Sequence, residues 1–174
     1  MSGEKQPAPA SGLLRIERFV VTIEEAAVFV ILASLLITLS LQIASRFLFE
    51  FPLDWTEELA RVGQMWLVFI GAAVGARRAE HFVVEIFMER VSFPGKEMVA
   101  RVIDVLVVGF FLVLATVSGW MTWFGSIQIM PALGASVAWG YAAIPVGCAL
   151  IAFHFVCSWL RPAQASIAAV EAGE

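Results

Sequence analysis

The residues best suited to chemistry form one polar cluster in an otherwise apolar chain. The segment SRFLFEFPLDWTEELAR, residues 45–61, carries six charged side chains: Arg46, Glu50, Asp54, Glu57, Glu58 and Arg61. Glu57 and Arg61 are four residues apart, the spacing at which opposite charges pair on one helix face. Arg46 can reach Glu50 locally or Glu58 across a hairpin. The cluster is therefore expected to fix two helices by ion pairs or to dock a partner.

Two other interpretations of this cluster remain open. It could be a solvated outer loop whose charges do nothing, or it could line a path for an ion or a substrate. Ionisable groups inside a membrane are functional by default, but these charges lie at the edge of a predicted span. The sequence contains no GxSxG, HExxH, P-loop or paired catalytic carboxylates, so we expect no enzyme activity.

The chain has two histidines, His81 and His154, and two cysteines, Cys148 and Cys157. A haem-binding membrane anchor needs two axial ligands that face each other inside a helical bundle. His81 falls at a predicted membrane boundary and His154 inside the last span, so we expect His154 to be a hydrogen-bonded side chain within the bundle. The cysteines are nine residues apart in an apolar run, which predicts buried apolar side chains rather than a metal or redox motif.

Three glycines predict close packing between helices. Gly63, Gly71 and Gly75 lie at intervals of eight and four residues, and the last two form a GxxxG match. Lipid provides no hydrophobic drive for helix association, so small residues that let backbones approach are the usual substitute. Gln42, Ser45 and Gln64 are expected to add interhelical hydrogen bonds of about 0.6 kcal/mol each.

The elements that carry these residues follow from composition. Hydrophobic residues make up 60% of the chain and charged residues 15%, with a mean hydropathy of +0.87. A soluble domain of this size has no interior large enough for that much apolar surface. The net charge of −4 gives no sign of nucleic-acid binding. We therefore predict an all-α integral membrane protein with four transmembrane helices.

The four spans are predicted at about residues 26–47, 55–76, 105–124 and 137–160. The first charge-free run, residues 26–45, has the length that a hydrocarbon core of about 30 Å requires. Residues 105–160 lack any Asp, Glu, Lys or Arg. This charge-free run is too long for one membrane crossing and has the length of two. Pro131 and Gly134 predict the turn between them. Pro145 is expected to kink the last span because it removes a backbone donor.

The remaining segments complete a single membrane domain over residues 13–162. Amphipathic patterns predict interfacial helices at about 13–25 and 81–92. Residues 1–12 and 163–174 are expected to be tails. Five tryptophans near predicted span ends match an aromatic belt in contact with membrane lipids: Trp55, Trp120, Trp123, Trp139 and Trp159.

The distribution of basic residues predicts the orientation. Nine of the eleven lysines and arginines fall in the two terminal segments or between the second and third spans. Arg46 and Arg61 alone fall on the opposite side. Basic residues are concentrated in cytoplasmic segments. Both termini are therefore expected in the cytoplasm.

The order of residues across the polar cluster resembles that of a known family. The matching positions are Arg46-Phe47, Phe49, Pro52-Leu53, Trp55-Thr56-Glu57-Glu58, Ala60-Arg61, Trp66, Phe69, Gly71-Ala72, Arg77 and His81. Together they resemble the DctQ-like small membrane subunit of tripartite ATP-independent periplasmic (TRAP) transporters. The motif covers about a fifth of the chain. Over the rest, the length of the chain and its four predicted spans agree with this family.

The resemblance implies a static scaffold in the bacterial inner membrane, beside a large DctM-like subunit that carries a C4-dicarboxylate or other organic acid with sodium. It also implies a periplasmic DctP-like binding protein that delivers the substrate, and no cofactor in this chain. Arg46, Trp55, Glu57, Glu58, Arg61 and His81 become candidate docking or structural residues. Two other classes stay open: a haem- or quinone-binding anchor of a respiratory complex, and a small self-assembling channel.

Overall fold

The structure is a computed structural model that describes residues 10–48, 50–51, 53–90 and 96–171, with side chains described at 15–48, 50–51, 53–77, 98–99 and 101–158. Within these residues the chain forms five helices: α1 Ala10–Leu48, α2 Asp54–Arg90, α3 Lys96–Gly125, α4 Ala138–Tyr141 and α5 Ala143–Glu171. Four segments are long and apolar enough to cross a membrane: Arg15–Leu48, Asp54–Arg77, Arg101–Gly125 and Ala138–Ser158. The predicted all-α class with four transmembrane helices is confirmed.

The two predicted interfacial helices are not separate elements. Residues 13–25 and the first span form the single helix α1, and residues 81–90 continue α2 beyond its span. Neither junction contains a glycine break or a proline, so nothing in the local sequence stops either helix. Helix α5 likewise continues through residues 163–171, where a tail was expected. Residues 1–9, 91–92 and 172–174 of the predicted segments lie outside the described residues.

The transmembrane helices lie in a row in the order α1, α2, α5, α3. Neighbours in that order make the main contacts, and α1 touches α5 over a smaller area. Successive spans run in opposite directions, so the helix termini lie on two opposite sides of the bundle, which we call the terminal end and the loop end. The terminal end contains Arg15, Arg77, Arg101 and Ser158, and the loop end contains Leu48, Asp54, Gly125 and Ala138. Helix α5 is the most buried span.

The turn between the third and fourth spans falls where Pro131 and Gly134 predict it. A short bridge pairs Ile129 with Ser136, and Gly134 adopts a φ of 64°, which a glycine accepts without strain. Helices α4 and α5 are separated only at Ala142, whose φ of −59° and ψ of −23° remain helical. Pro145 lacks the N–H that would donate to the preceding turn, and the kink expected there stays a prediction.

Helices α2 and α5 approach so closely that one position tolerates only glycine. A Cβ added at Gly147 would lie 2.6 Å from the Cβ of Phe69 and 2.9 Å from the Phe69 carbonyl oxygen. A backbone oxygen cannot move aside as the tip of a flexible side chain can. Gly63 lies against Leu35 of α1 in a similar but looser contact. A Cβ added at Gly63 would lie 3.0 Å from the nearest carbon of Leu35. Glycine at these contacts brings neighbouring helices together.

Replacing Gly147 by Ala should therefore destabilise the row. The added methyl group overpacks the α2–α5 contact, which typically costs about 1–3 kcal/mol. Gly109→Ala on α3 is the matched control, because a Cβ there meets nothing within 4 Å. The melting temperature of each purified variant in detergent measures the difference. Equal melting temperatures for the two variants would contradict the close approach of α2 and α5.

Candidate functional site

The face of α1 that the chain buries is polar. Its buried side chains, among those described, are Glu17, Glu24, Thr38 and Ser45. They are separated by multiples of seven residues, a spacing that keeps side chains on one side of a helix packed against a neighbour. Larger apolar residues of α1, such as Phe29 and Leu36, are exposed. Helix α1 thus reverses the pattern of a helix on a soluble protein, with polar groups inside and apolar groups outside.

The most buried of these polar groups pairs with the last span. The Nε2 atom of His154 lies 2.9 Å from Oε1 and 3.0 Å from Oε2 of Glu24. The two side chains are only 1% and 3% exposed. The pair joins α1 to α5, which otherwise have little contact. It confirms the prediction that His154 is hydrogen-bonded within the bundle, and it identifies the partner as Glu24.

The contact satisfies one ring nitrogen of His154. Nε2 lies within hydrogen-bond distance of both carboxyl oxygens of Glu24. Nδ1 of His154 has no partner in the part of the chain that the structure describes. Removal of one member of a buried pair leaves the other unsatisfied, at a cost of about 3–5 kcal/mol. The pair therefore resists any separation of α1 from α5.

A second ion pair lies beside the first and joins α1 to α2. Nη2 of Arg77 donates to Oε1 of Glu25 at 2.9 Å. This pair is partly exposed, with 26% and 48% of the two side chains accessible, so it contributes less than a buried one. Glu24, Glu25, Arg77 and His154 form what we call the terminal cluster, since they lie toward the terminal end. The cluster connects α1, α2 and α5.

The sequence indicated the terminal cluster only indirectly. The sequence predicts an interfacial helix at about 13–25, which includes Glu24, because these residues precede the charge-free run. In the structure Glu24 is buried within the segment Arg15–Leu48. The seven-residue spacing of Glu17, Glu24, Thr38 and Ser45 is the signal that could have placed Glu24 on a buried face.

At the loop end, the predicted pair between Glu57 and Arg61 is present. Nη2 of Arg61 lies 3.1 Å from Oε1 of Glu57, with 65% and 68% of the side chains exposed. Exposed pairs at this helical spacing contribute about 0.3–0.5 kcal/mol. The pair therefore supports the first turns of α2 without joining it to another helix.

Glu58 bonds to a different partner from the one expected. Its Oε2 accepts hydrogen bonds from the backbone N–H groups of Ala132 at 3.1 Å and Leu133 at 2.8 Å. The expected pairing of Arg46 with Glu58 or Glu50 is absent from the described residues. A carboxylate with two backbone donors already within reach gains little from a long and exposed arginine side chain. Glu58 thus fastens the α3–α4 turn onto the start of α2.

An open cleft of about 370 Å³ lies beside this contact. Its lining residues are Asp54, Glu57, Glu58, Arg61, Pro131 and Ala132. Among the described residues, no group of three or more His, Cys, Asp or Glu could hold a metal ion. The cleft is open, and three of its six lining residues are acidic.

The other predicted site residues are placed as follows. Gly63 lies in the α1–α2 contact, whereas a Cβ added at Gly71 or Gly75 would meet no described atom within 4 Å. Arg46 and Trp55 are exposed near the loop end. The side chain of His81 lies outside the described residues. The docking and structural roles of all these residues stay predictions.

The expected interhelical hydrogen bonds of Ser45 and Gln64 are not formed within the described residues. The hydroxyl of Ser45 donates to the carbonyl of Gln42 in its own helix. A hydrogen bond that sequence analysis missed instead joins Trp66 Nε1 to the carbonyl oxygen of Trp139 at 2.9 Å, and connects α2 to α4. Cys148 and Cys157 are both buried, as predicted.

Taken together, the fold and its polar contacts define a multi-pass helical membrane protein whose buried ionisable groups connect helices. Its family follows from comparison with known proteins. The DctQ component of tripartite ATP-independent periplasmic transporters matches residues 35–165. The chain belongs to this family, so it is a small permease subunit of a TRAP transporter, as its resemblance predicted.

Two relatives support the assignment. The chain is 30% identical over 145 residues to the sialic acid TRAP transporter small permease protein SiaQ of Vibrio cholerae serotype O1, covering 82% of each protein. It is 31% identical over 117 residues to the sialic acid TRAP transporter permease protein SiaT of Haemophilus influenzae, covering 66% of this chain and 19% of that protein. These matches do not favour the haem or quinone anchor, and Nε2 of His154 is already bonded to Glu24.

Separate replacement of Glu24 and His154 tests the importance of the buried pair. Glu24→Leu and His154→Leu should each lower stability by about 3–5 kcal/mol, because each leaves one polar partner buried alone. The double variant should lose less than the sum of the two single losses. Glu25→Leu, which breaks the partly exposed pair, serves as the control and should cost about 0–1 kcal/mol. Thermal unfolding in detergent measures all four, and additive losses would show that Glu24 and His154 do not interact.

Proposed function

We propose that this small permease subunit is a static scaffold for a large membrane subunit that carries the substrate. The Haemophilus relative supports this partner, because the segment similar to our chain makes up 19% of a longer permease protein. The remaining length of that permease is available for a transport pathway. The Vibrio relative, of a size close to our chain, is named a small permease protein. A small and a large component are thus the arrangement that the relatives favour.

The single observation that carries the scaffold role is the buried bond between Glu24 and His154. A carrier that acts alone needs ionisable groups or broken helices that face a site near the middle of the membrane. In this chain the most buried ionisable groups bond to each other across two helices and are not free to bind a substrate. Such bonds favour a rigid body rather than a moving one.

The substrate and the energy source belong to the other components in this proposal. Both relatives are named for sialic acid, which is an organic acid, so we propose an organic acid as the substrate class. The large subunit binds the substrate together with sodium, and a periplasmic binding protein delivers it. The small subunit takes part in transport rather than catalysis and needs no cofactor.

Reconstitution in liposomes tests this division of roles. The purified small subunit alone should give no uptake of sialic acid under an inward sodium gradient, because it offers no binding site. Addition of the large subunit and the binding protein should produce uptake, and omission of the small subunit should abolish it. Uptake by the small subunit alone would overturn the scaffold role, and full uptake without it would show that the scaffold is dispensable.

We also propose that both ends of the chain lie in the cytoplasm. The support is the excess of basic residues, nine of eleven, in the segments at the terminal end. A fluorescent protein fused to either end should fluoresce, whereas alkaline phosphatase fused there should be inactive. Phosphatase inserted after Gln128, in the α3–α4 turn, should be active. Reporters at the two ends that localise to opposite sides would contradict the four-span topology as well as the orientation.

A further inference from the structure

One face of α2 has no neighbour within the described chain. It consists of residues that recur at helical spacing and point away from α1 and α5: Gln64, Val68, Gly71, Ala72 and Gly75. The buried residues of α2, Thr56, Ile70 and Ala73, lie on the other side of the helix. We call the part from Gln64 to Gly75 the open face of α2. Because α2 lies inside the row, this face opens on one broad side of it.

The open face begins with a polar side chain in the middle of the span. Gln64 is ten residues from the start of the span at Asp54, or about 15 Å along a helix 24 residues long. Its side chain is exposed and forms no hydrogen bond to any described residue. An amide that faces hydrocarbon has no water to satisfy its donors and acceptor. Gln64 therefore needs a partner that the described residues do not provide.

The glycines on the same face are not required for packing against any described residue. A Cβ added at Gly71 or Gly75 meets nothing within 4 Å. At Gly63 and Gly147, by contrast, the neighbouring helix occupies the space where a side chain would lie. Glycine inside a helix is unfavourable relative to alanine unless a close approach requires it. Gly71 and Gly75 thus leave a shallow groove that is open to another molecule.

The outward faces of the outer helices differ from the open face. Exposed residues of α1 include Phe29, Leu36 and Ile37, and those of α3 include Leu106 and Phe110. Such large apolar side chains suit contact with lipid tails. The open face of α2 has small residues and an amide in the corresponding region. Its chemistry suits close contact with a helix rather than contact with lipid.

We propose that the open face of α2 docks a transmembrane helix of the large permease subunit. The proposal rests on the proposed function, which supplies the large subunit as the partner. The small residues at Gly71, Ala72 and Gly75 let the partner's backbone approach closely, and Gln64 forms a hydrogen bond with a polar group of that helix. In the Haemophilus relative, a segment similar to this chain is part of a longer permease, so both components belong to one protein. This arrangement favours the large subunit over a second copy of this chain as the partner.

Bulky substitutions on the open face test the docking. Gly71→Leu and Gly75→Leu should reduce co-purification with the co-expressed large subunit by about tenfold or more, because they fill the groove that the partner helix occupies. Gly109→Leu on α3 is the matched control. A Cβ added at Gly109 also meets nothing within 4 Å. Counted from the terminal end, Gly109 lies eight residues from Arg101 and Gly71 lies six residues from Arg77, so the two depths are similar. The control should co-purify as the unchanged protein does.

The removal of the amide is tested separately by Gln64→Leu, which should also weaken co-purification. If lipid covers this face, the same change should leave co-purification unchanged, because it removes an unfavourable polar group. Circular dichroism and thermal unfolding of each purified variant alone should match the unchanged protein, since none of the added side chains meets a neighbour at Gly71 or Gly75.

Cross-linking identifies the occupant even if a leucine variant fails to fold. Gly71→Cys should cross-link to the large subunit in membranes, and Gly109→Cys should not. Cross-links between two copies of this chain would overturn the proposal in favour of a homodimer. Equal co-purification of the Gly71→Leu, Gly75→Leu and Gly109→Leu variants would overturn it in favour of lipid. A failure of the unchanged protein to co-purify with the large subunit would instead contradict the proposed function.

Discussion

Hydrocarbon has no water with which to satisfy a polar group, so a polar side chain buried in a span must find its partner in protein. The bond between Glu24 and His154 meets this requirement and at the same time fixes the register of α1 against α5. The neighbouring pair of Glu25 and Arg77 fixes α1 against α2. A helix that buries a polar stripe is thereby restricted to the position in which its polar side chains meet their partners.

The helices of the row differ in burial and in the contacts that they make. Helix α5 is the buried element, and the contact of Gly147 with Phe69 brings it close to α2. Helices α1 and α3 lie at the two edges and expose large apolar residues. Glu58 and Trp66 connect α2 to the α3–α4 turn and to α4 at the loop end. Bonds at both ends of the row support a body that keeps its shape, as the proposed scaffold role requires.

Features set by neighbouring residues could be predicted from the sequence. Charge-free runs indicated the four spans, Pro131 and Gly134 indicated the turn, and the spacing of Glu57 and Arg61 indicated their pair. Contacts between residues far apart in sequence could not be predicted in the same way. Glu24 and His154 are separated by 130 positions, and their contact depends on the order of helices in the row. The choice of backbone donors by Glu58 depends on the same order.

The length of α1 has a mechanical consequence. Its 39 residues extend for about 58 Å, whereas a hydrocarbon core measures about 30 Å. The helix ends at Leu48 by the loop end, so the surplus length lies at the opposite end of the helix, toward Ala10. An unbroken helix is stiff, and it transmits a push along its axis. A force applied near residue 10 would therefore be transmitted along a stiff helix to the membrane core, whereas a flexible linker would not transmit it.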